Sequence, residues 1–130
     1  MKKQISKELS IYFKNNYPLN IKNTNTKKYE VILGIGGNIG NVMMNFNKLI
    51  NMMKSNSRIK LIKTSPILKN PPFGFLEQNY FYNTLIVIQT NLSPSEVLRL
   101  CWMYENRFKR KRSFKDAPRT LDIDIIFIKN

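Results

Sequence analysis

The sequence predicts an α+β fold in two layers, with helices packed on a mainly antiparallel sheet. Apolar residues with strand-like or helix-like spacing follow one another in the order strand, helix, strand, strand, helix, strand. The start of the second helix is marked by Ser93, Pro94 and Glu96, which form a capping box with proline at the first helical position. Residues 70–74 contain two prolines and a glycine and are therefore predicted to be a loop.

The first half of the chain supplies an extension, two strands and a helix. Residues 1–29 are polar and rich in Lys and Asn, and we expect them to pack weakly on the domain or not at all. Strands are predicted over 29–35 and 58–65, and the glycine-rich residues 36–40 should form a turn. The helix between them should begin near residue 41 and end near 54. Its apolar side is formed by Val42, Phe46, Leu49, Ile50 and Met53.

The second half supplies a strand, a helix and a last strand. The strand over 81–89 is apolar except for Asn83, and the last strand is predicted over 121–128. The helix that Ser93 caps ends in basic residues, which suit the negative end of its dipole. The helix carries Val97, Leu98, Cys101, Trp102 and Glu105. This order of elements is the ferredoxin-like arrangement, and it assigns residues 30–130 to a single domain.

Composition excludes several classes of protein. At 130 residues with 42% hydrophobic content, the chain has room for one substantial core. It contains no apolar run long enough to span a membrane, and polar residues interrupt any N-terminal signal peptide. The single cysteine, Cys101, is expected to be a buried thiol in a reducing compartment, the cytoplasm. Because the chain has no His, a Cys/His nucleophile and a Cys/His zinc site are excluded.

Two carboxylates stand out in the last predicted strand. Asp122 and Asp124 are two residues apart and should project from one face, while Leu121, Ile123 and Ile125 face the core. An exposed strand with a solvated polar face would have the same pattern. Adjacent like charges are unfavourable, however, unless a cation lies between them. Oxygen ligands of this kind suit Mg²⁺ that is shared with substrate phosphates.

A basic run precedes the two aspartates and contributes much of the net charge of +14. It consists of Arg107, Lys109, Arg110, Lys111, Arg112, Lys115 and Arg119. Such a density of charge is typical of an anionic partner, although many charge runs are only solvated surface. Composition alone leaves RNA, membrane headgroups and a nucleotide open. Next to the aspartates, Arg119 favours a polyphosphate site.

The glycine-rich turn does not match a known nucleotide-binding loop. Gly34, Gly36, Gly37 and Gly40 lie between a strand and a helix, but Ile39 occupies the position of the third glycine of a dinucleotide-binding fingerprint. The Gly-Lys-Ser/Thr sequence of a phosphate-binding loop is also missing. These glycines therefore predict a close approach of the backbone to a ligand or a neighbouring strand.

Five segments, taken together and in order, resemble one enzyme family. They are residues 34–40, 70–74 and 78–83, Glu105 with Arg110 and Arg112, and residues 118–124. This set is similar to the 6-hydroxymethyl-7,8-dihydropterin pyrophosphokinases of folate biosynthesis. The resemblance implies transfer of pyrophosphate from ATP to the hydroxymethyl group of the pterin, with release of AMP. Charge neutralisation and in-line positioning dominate such transfers.

The resemblance also implies roles for individual residues. Asp122 and Asp124 would hold two Mg²⁺ ions, and Asp124, Arg110 and Arg119 would be the catalytic residues. Glu105, Arg110, Arg112 and Arg119 would contact ATP. Asn70, Pro71, Phe73, Phe81 and Asn83 would bind the pterin. In that pocket Phe81 would stack on the ring and Asn83 would hydrogen-bond its amide-like edge, which would explain an amide in an apolar strand.

Two departures from the family pattern concern the site. Trp102 stands where many members have Gln, and the family continues beyond residue 130 with a further strand and helix that complete the ATP and pterin contacts. The C-terminal part of the domain is therefore expected to be missing. Two other functions stay open: a small basic RNA-binding module and an inactive remnant of the enzyme. The expected partners are ATP and reduced pterin, bound by a monomer without a membrane or nucleic-acid partner.

Overall fold

The computed structural model describes residues 1–6, 8–21, 26–71, 79–108 and 120–130. Eight strands and two helices occur within these ranges. In chain order they are β1 (Lys2–Gln4), β2 (Ser10–Tyr12), β3 (Leu19–Asn20), β4 (Tyr29–Gly37), α1 (Val42–Lys54), β5 (Ile59–Thr64), β6 (Ile67–Asn70), β7 (Phe81–Thr90), α2 (Pro94–Arg107) and β8 (Asp122–Lys129). No helix among the described residues has the length and apolarity needed to cross a bilayer.

Four antiparallel strands form the centre of the sheet, in the order β8-β4-β7-β5. Strand β4 lies between β7 and β8, so Gly36 is opposite Asn83 on one side and Asp122 on the other. The predicted α+β class, with two helices on an antiparallel sheet, is confirmed. The predicted strands and helices are found within one or two residues of their expected bounds.

The core lies between the sheet and the two helices. All five apolar residues predicted for the inner side of α1 are buried, and they pack with Leu33, Ile35, Ile86 and Ile123 of the sheet. The N-termini of both helices are capped by side chains. At α1 the Asn41 side chain accepts a hydrogen bond from the Met44 amide, and at α2 Ser93 and Glu96 form the predicted capping box.

The residues that form the sequence pattern of α2 are only partly buried. Cys101 is buried, as expected, and so are Val97 and Glu105, whereas Leu98 and Trp102 are 39% and 55% exposed. Tyr104 faces inward instead and is only 3% exposed. The apolar residues of α2 cover more than one side of the helix, so spacing alone did not show which side meets the sheet.

The N-terminal segment is part of the sheet, contrary to the expectation of weak packing. Strand β2 pairs with β6, and β3 pairs with β5. Between them, Tyr17 is 1% exposed, and its hydroxyl donates a hydrogen bond to the Phe46 carbonyl oxygen at 2.8 Å. Burial raises the pKa of the Tyr17 phenol, so the group stays protonated and can donate. The polar composition of the segment gave no sign that one of its aromatic side chains, Tyr17, belongs to the core.

Replacing Tyr17 tests this packing. Tyr17→Phe keeps the ring but removes the buried hydrogen bond, so we expect a loss of about 1 kcal/mol in the free energy of unfolding, measured by urea titration. Tyr29→Phe, on a half-buried ring, is the control and should change stability by less than about 0.5 kcal/mol. Equal effects of the two substitutions would contradict a core role for the N-terminal segment.

Candidate active site

A cleft of about 270 Å³ lies across β4, β7 and β8. It opens on the face of the sheet away from the helices, because side chains alternate along each strand and Leu33, Ile35 and Ile86 point into the core. The residues that line the cleft include Gly34, Gly36, Phe81, Asn83, Asp122 and Asp124. One cavity is therefore lined both by the residues predicted to bind metal and by two of those predicted to bind the pterin.

Glycines form the floor of this cleft. A Cβ atom on Gly36 would lie 2.9 Å from Oδ1 of Asn83, and one on Gly34 would lie 3.1 Å from Cδ1 of Ile126. Because Gly34 and Gly36 have no side chains, this part of β4 leaves space between β7 and β8. The predicted turn over residues 36–40 is wrong at its start, since β4 continues to Gly37. Among the described glycines, positive φ is found at Gly40, where it is 71°.

If the cleft holds the pterin that the family resemblance implies, Gly36→Ala should reduce pterin binding through this contact. The added methyl group would displace the Asn83 amide, and we expect the KM for the pterin to rise about tenfold while the KM for ATP stays within about twofold. Steady-state kinetics with each substrate varied in turn measures both values. An unchanged KM for the pterin would mean that Asn83 can move aside without loss of binding.

The two aspartates lie on one strand face, as predicted. Asp122 is opposite Gly36 and Asp124 is opposite Gly34. Asp122 is 6% exposed, whereas Asp124 is open to solvent. Within the described part of the chain, no group of three or more His, Cys, Asp or Glu residues could enclose a metal ion. Two carboxylates in an open cleft fit Mg²⁺, which is typically held by one or two carboxylates together with substrate phosphates and water.

Glu105 is not among the residues that line the cleft. Its side chain is 5% exposed, and Oε2 accepts a hydrogen bond at 2.8 Å from the Ile123 amide, between the two aspartates in sequence. Glu105 therefore links α2 to β8. This contact positions the strand that carries the aspartates, while the contact with ATP stays a prediction.

Asn70, Phe81 and Asn83, three of the residues expected to bind the pterin, lie where β6 ends and β7 begins. Asn70 is opposite Phe81, and Nδ2 of Asn83 donates a hydrogen bond to Oδ1 of Asn70 at 2.6 Å. Asn70 was predicted to be the first residue of a loop. It is instead the last residue of β6, and Pro71 follows it. Asn70 and Pro71 thus adjoin the cleft through Asn83.

Several predicted residues lie outside the described ranges. These are Phe73, and Arg110, Arg112 and Arg119 of the basic run. The roles assigned to them stay predictions. Trp102, at the position where many members of the family have Gln, is exposed on α2.

Cysteine chemistry does not contribute to this site. Cys101 is buried, and burial together with the nearby carboxylates of Glu105 and Asp124 raises the pKa of its thiol to about 12. The thiol is therefore protonated at neutral pH and is a poor nucleophile.

Sequence reasoning missed the walls of the cleft. Leu85 and Ile126 line it, and Ile126 is the extra residue of a bulge in β8, since Ile32 is opposite Phe127 and Leu33 is opposite Ile125. The spacing of Gly34 and Gly36 was a usable signal. It has the same period of two as Asp122 and Asp124, as expected for two strands that share one face.

Comparison with known proteins agrees with this geometry. The profile of the 7,8-dihydro-6-hydroxymethylpterin-pyrophosphokinase family matches residues 32–129. Relatives named 2-amino-4-hydroxy-6-hydroxymethyldihydropteridine pyrophosphokinase include those of Campylobacter jejuni, Helicobacter pylori and Bacillus subtilis. That of Campylobacter jejuni is 42% identical over 85% of this chain and 71% of its own length. That of Helicobacter pylori is 47% identical over 74% of this chain and 60% of its own length. That of Bacillus subtilis is 31% identical over 72% of this chain and 56% of its own length.

An antiparallel sheet carries a carboxylate pair, an aromatic ring and an amide in one cleft, an arrangement that suits a transferase with a phosphorylated donor and a planar acceptor. The chain belongs to the 7,8-dihydro-6-hydroxymethylpterin-pyrophosphokinase family. Members of this family are ATP-dependent pyrophosphokinases of folate biosynthesis. The chain spans less than two thirds of the length of the Helicobacter and Bacillus relatives.

Proposed function

We propose that this protein catalyses the Mg²⁺-dependent transfer of pyrophosphate from ATP to the hydroxymethyl group of 6-hydroxymethyl-7,8-dihydropterin, with release of AMP. The observation that carries the proposal is the shared cleft, in which Asp122 and Asp124 face the same space as Phe81 and Asn83. A transferase must bring the donor phosphate and the acceptor hydroxyl together, and this cleft offers a group for each.

The reaction is a displacement at phosphorus. The hydroxyl oxygen of the pterin attacks the β-phosphorus of ATP, the bond to the α,β-bridging oxygen breaks, and AMP leaves with that electron pair while the hydroxyl proton passes to solvent. Asp122 and Asp124 would hold two Mg²⁺ ions, which would neutralise charge on the phosphates. Arg110, Arg112 and Arg119 would contact the phosphates, a role that is supported by the family resemblance and by their place in the basic run.

Phe81 and Asn83 would orient the acceptor. An aromatic ring can stack on a planar heterocycle, and a half-buried amide can pair with its lactam edge. Asn70, with Pro71 after it, would support Asn83 from the adjoining strand, and Phe73 would contact the same heterocycle. The supporting contact is the hydrogen bond from Asn83 to Asn70.

The wider assignment follows from the same features. The order β8-β4-β7-β5 supports a ferredoxin-like classification for residues 30–130, with residues 1–29 as an extension paired to that domain. We propose that the protein acts as a monomer. The buried free thiol of Cys101 fits a reducing compartment, and we propose the cytoplasm.

The test is a product assay with ATP, Mg²⁺ and the reduced pterin, in which nucleotides are separated and quantified. We expect AMP and the pterin diphosphate in equal amounts. ADP as the product would overturn the proposal in favour of simple phosphoryl transfer. No nucleotide product would favour an inactive remnant.

The net charge of +14 also favours an anionic macromolecule such as RNA, and competition separates the two functions. RNA held only by charge should dissociate as salt rises, with a log-log slope proportional to the number of phosphates neutralised. We expect saturating MgATP to displace any RNA that remains near the cleft, measured by fluorescence anisotropy of a labelled oligonucleotide. Tight RNA binding at physiological salt that MgATP does not reduce would contradict the enzyme assignment.

A further inference from the structure

The Asn70 side chain makes two hydrogen bonds with opposite requirements. Its Nδ2 donates to the Pro71 carbonyl oxygen at 3.0 Å, and its Oδ1 accepts from Nδ2 of Asn83 at 2.6 Å. Asn70 is 8% exposed at the end of β6, so little water is available to replace either partner.

These contacts determine which way both amides face. A carbonyl oxygen can only accept, so Asn70 must turn its nitrogen to Pro71 and its oxygen to Asn83. Asn83 must then present its own nitrogen to Asn70. Its remaining atom, Oδ1, faces the bare backbone of Gly36, where it lies 2.9 Å from the position of a Cβ atom. The Asn83 oxygen, a hydrogen-bond acceptor, therefore lies on the Gly36 side of the amide, while one of the two Nδ2 hydrogens is taken by Asn70.

We infer that Asn70 is a positioning residue that sets substrate specificity by holding the Asn83 amide with its oxygen towards the cleft. The site then selects a heterocycle edge that donates a hydrogen bond, such as a lactam N–H or an amino group beside it. This inference rests on the proposed function, since it assumes a pterin in the cleft. Asn70 acts through Asn83 and need not touch the substrate.

Strand pairing keeps Asn70 in place for this role. The preceding residue, Lys69, is opposite Ser10 of β2 on one side and opposite Tyr82 of β7 on the other. Strand β6 is only four residues long, and β2 converts it from an edge strand into an interior one. The N-terminal segment, outside the matched family region, thereby supports a residue next to the cleft.

A double-mutant cycle tests the inference, with Asn70→Leu, Asn83→Leu and the double variant. We expect Asn70→Leu to raise the KM for the pterin about tenfold and to leave the KM for ATP within about twofold, since one oriented hydrogen bond is lost. In the Asn83→Leu background the same change should add less than about twofold, because the residue that Asn70 orients is gone. Additive effects, or an equal rise in the KM for ATP, would overturn the inference.

Asn70→Asp is the matched conservative variant. It keeps an oxygen towards Asn83 but replaces the donation to Pro71 with two facing oxygens and adds a buried negative charge, so stability should fall while the preference for the natural pterin over an analogue methylated at its lactam nitrogen should be retained. Asn70→Leu should lose most of that preference. If Asn70→Asp loses it equally, orientation of Asn83 is not the cause and the inference fails. Absence of AMP with the unmodified protein would instead refute the proposed function itself.

Discussion

Asp124→Ala is expected to abolish pyrophosphoryl transfer, with a loss of at least about a thousandfold in kcat, because a metal-bound triphosphate would lose one of two carboxylates in the cleft. Asp124 is exposed on β8, so its removal opens no cavity in the core. The loss should therefore be one of chemistry and not of folding.

Nucleotide binding identifies the cause. We expect Asp124→Ala to weaken the affinity for ATP when Mg²⁺ is present and to leave the affinity unchanged in EDTA, as measured by calorimetry. Glu30→Ala is the control: it changes net charge equally, and Glu30 lies on the same sheet near the opposite end of β4. Its turnover should be close to that of the unmodified protein. Equal losses of affinity with and without Mg²⁺ would contradict a metal-ligand role for Asp124.

Phe81→Leu and Asn83→Leu should both weaken pterin binding, but in different ways. Phe81→Leu keeps an apolar side chain and loses the flat face, so the KM for the pterin should rise while MgATP binding is unchanged. Asn83→Leu removes the polar partner of a buried heterocycle edge, at a cost of about 1 to 3 kcal/mol in binding. It should also reduce discrimination against pterin analogues more than it reduces stability.

Kinetics with the natural pterin and with edge-modified analogues measures the two effects, and thermal unfolding checks the fold. Val87→Ala, on the same strand and outside the cleft lining, controls for a general disturbance of β7. If Asn83→Leu unfolds the domain, or if neither cleft variant changes pterin affinity, the pterin pocket lies elsewhere in the protein.

Local chemistry determined the helices and the main strands. The period of the apolar residues in α1 defined its buried side, and the spacing of Ser93 and Glu96 defined the start of α2. The period of two also placed Asp122 and Asp124 on one face, because alternation along a strand is independent of its neighbours. Each of these features depends on residues close together in sequence.

The tertiary structure decided the features that depend on pairing between distant segments. Register across three strands made Gly34 and Gly36 the floor of the cleft, although Gly36 had been predicted to begin a turn. The choice of an inward side for α2 left Trp102 exposed, and pairing with β6 and β5 brought a polar N-terminal segment and Tyr17 into the fold.

The orientation of the Asn83 amide illustrates the same division. The sequence alone identified Asn83 as a polar exception in an apolar strand, and so as a candidate ligand for a heterocycle. Which atom it presents to the cleft depends on the side chain of Asn70, which lies thirteen residues earlier on a different strand. The orientation of Asn70 depends in turn on the Pro71 carbonyl. Residue types specify what can be donated or accepted, but only the packed strands specify which partner takes each hydrogen bond.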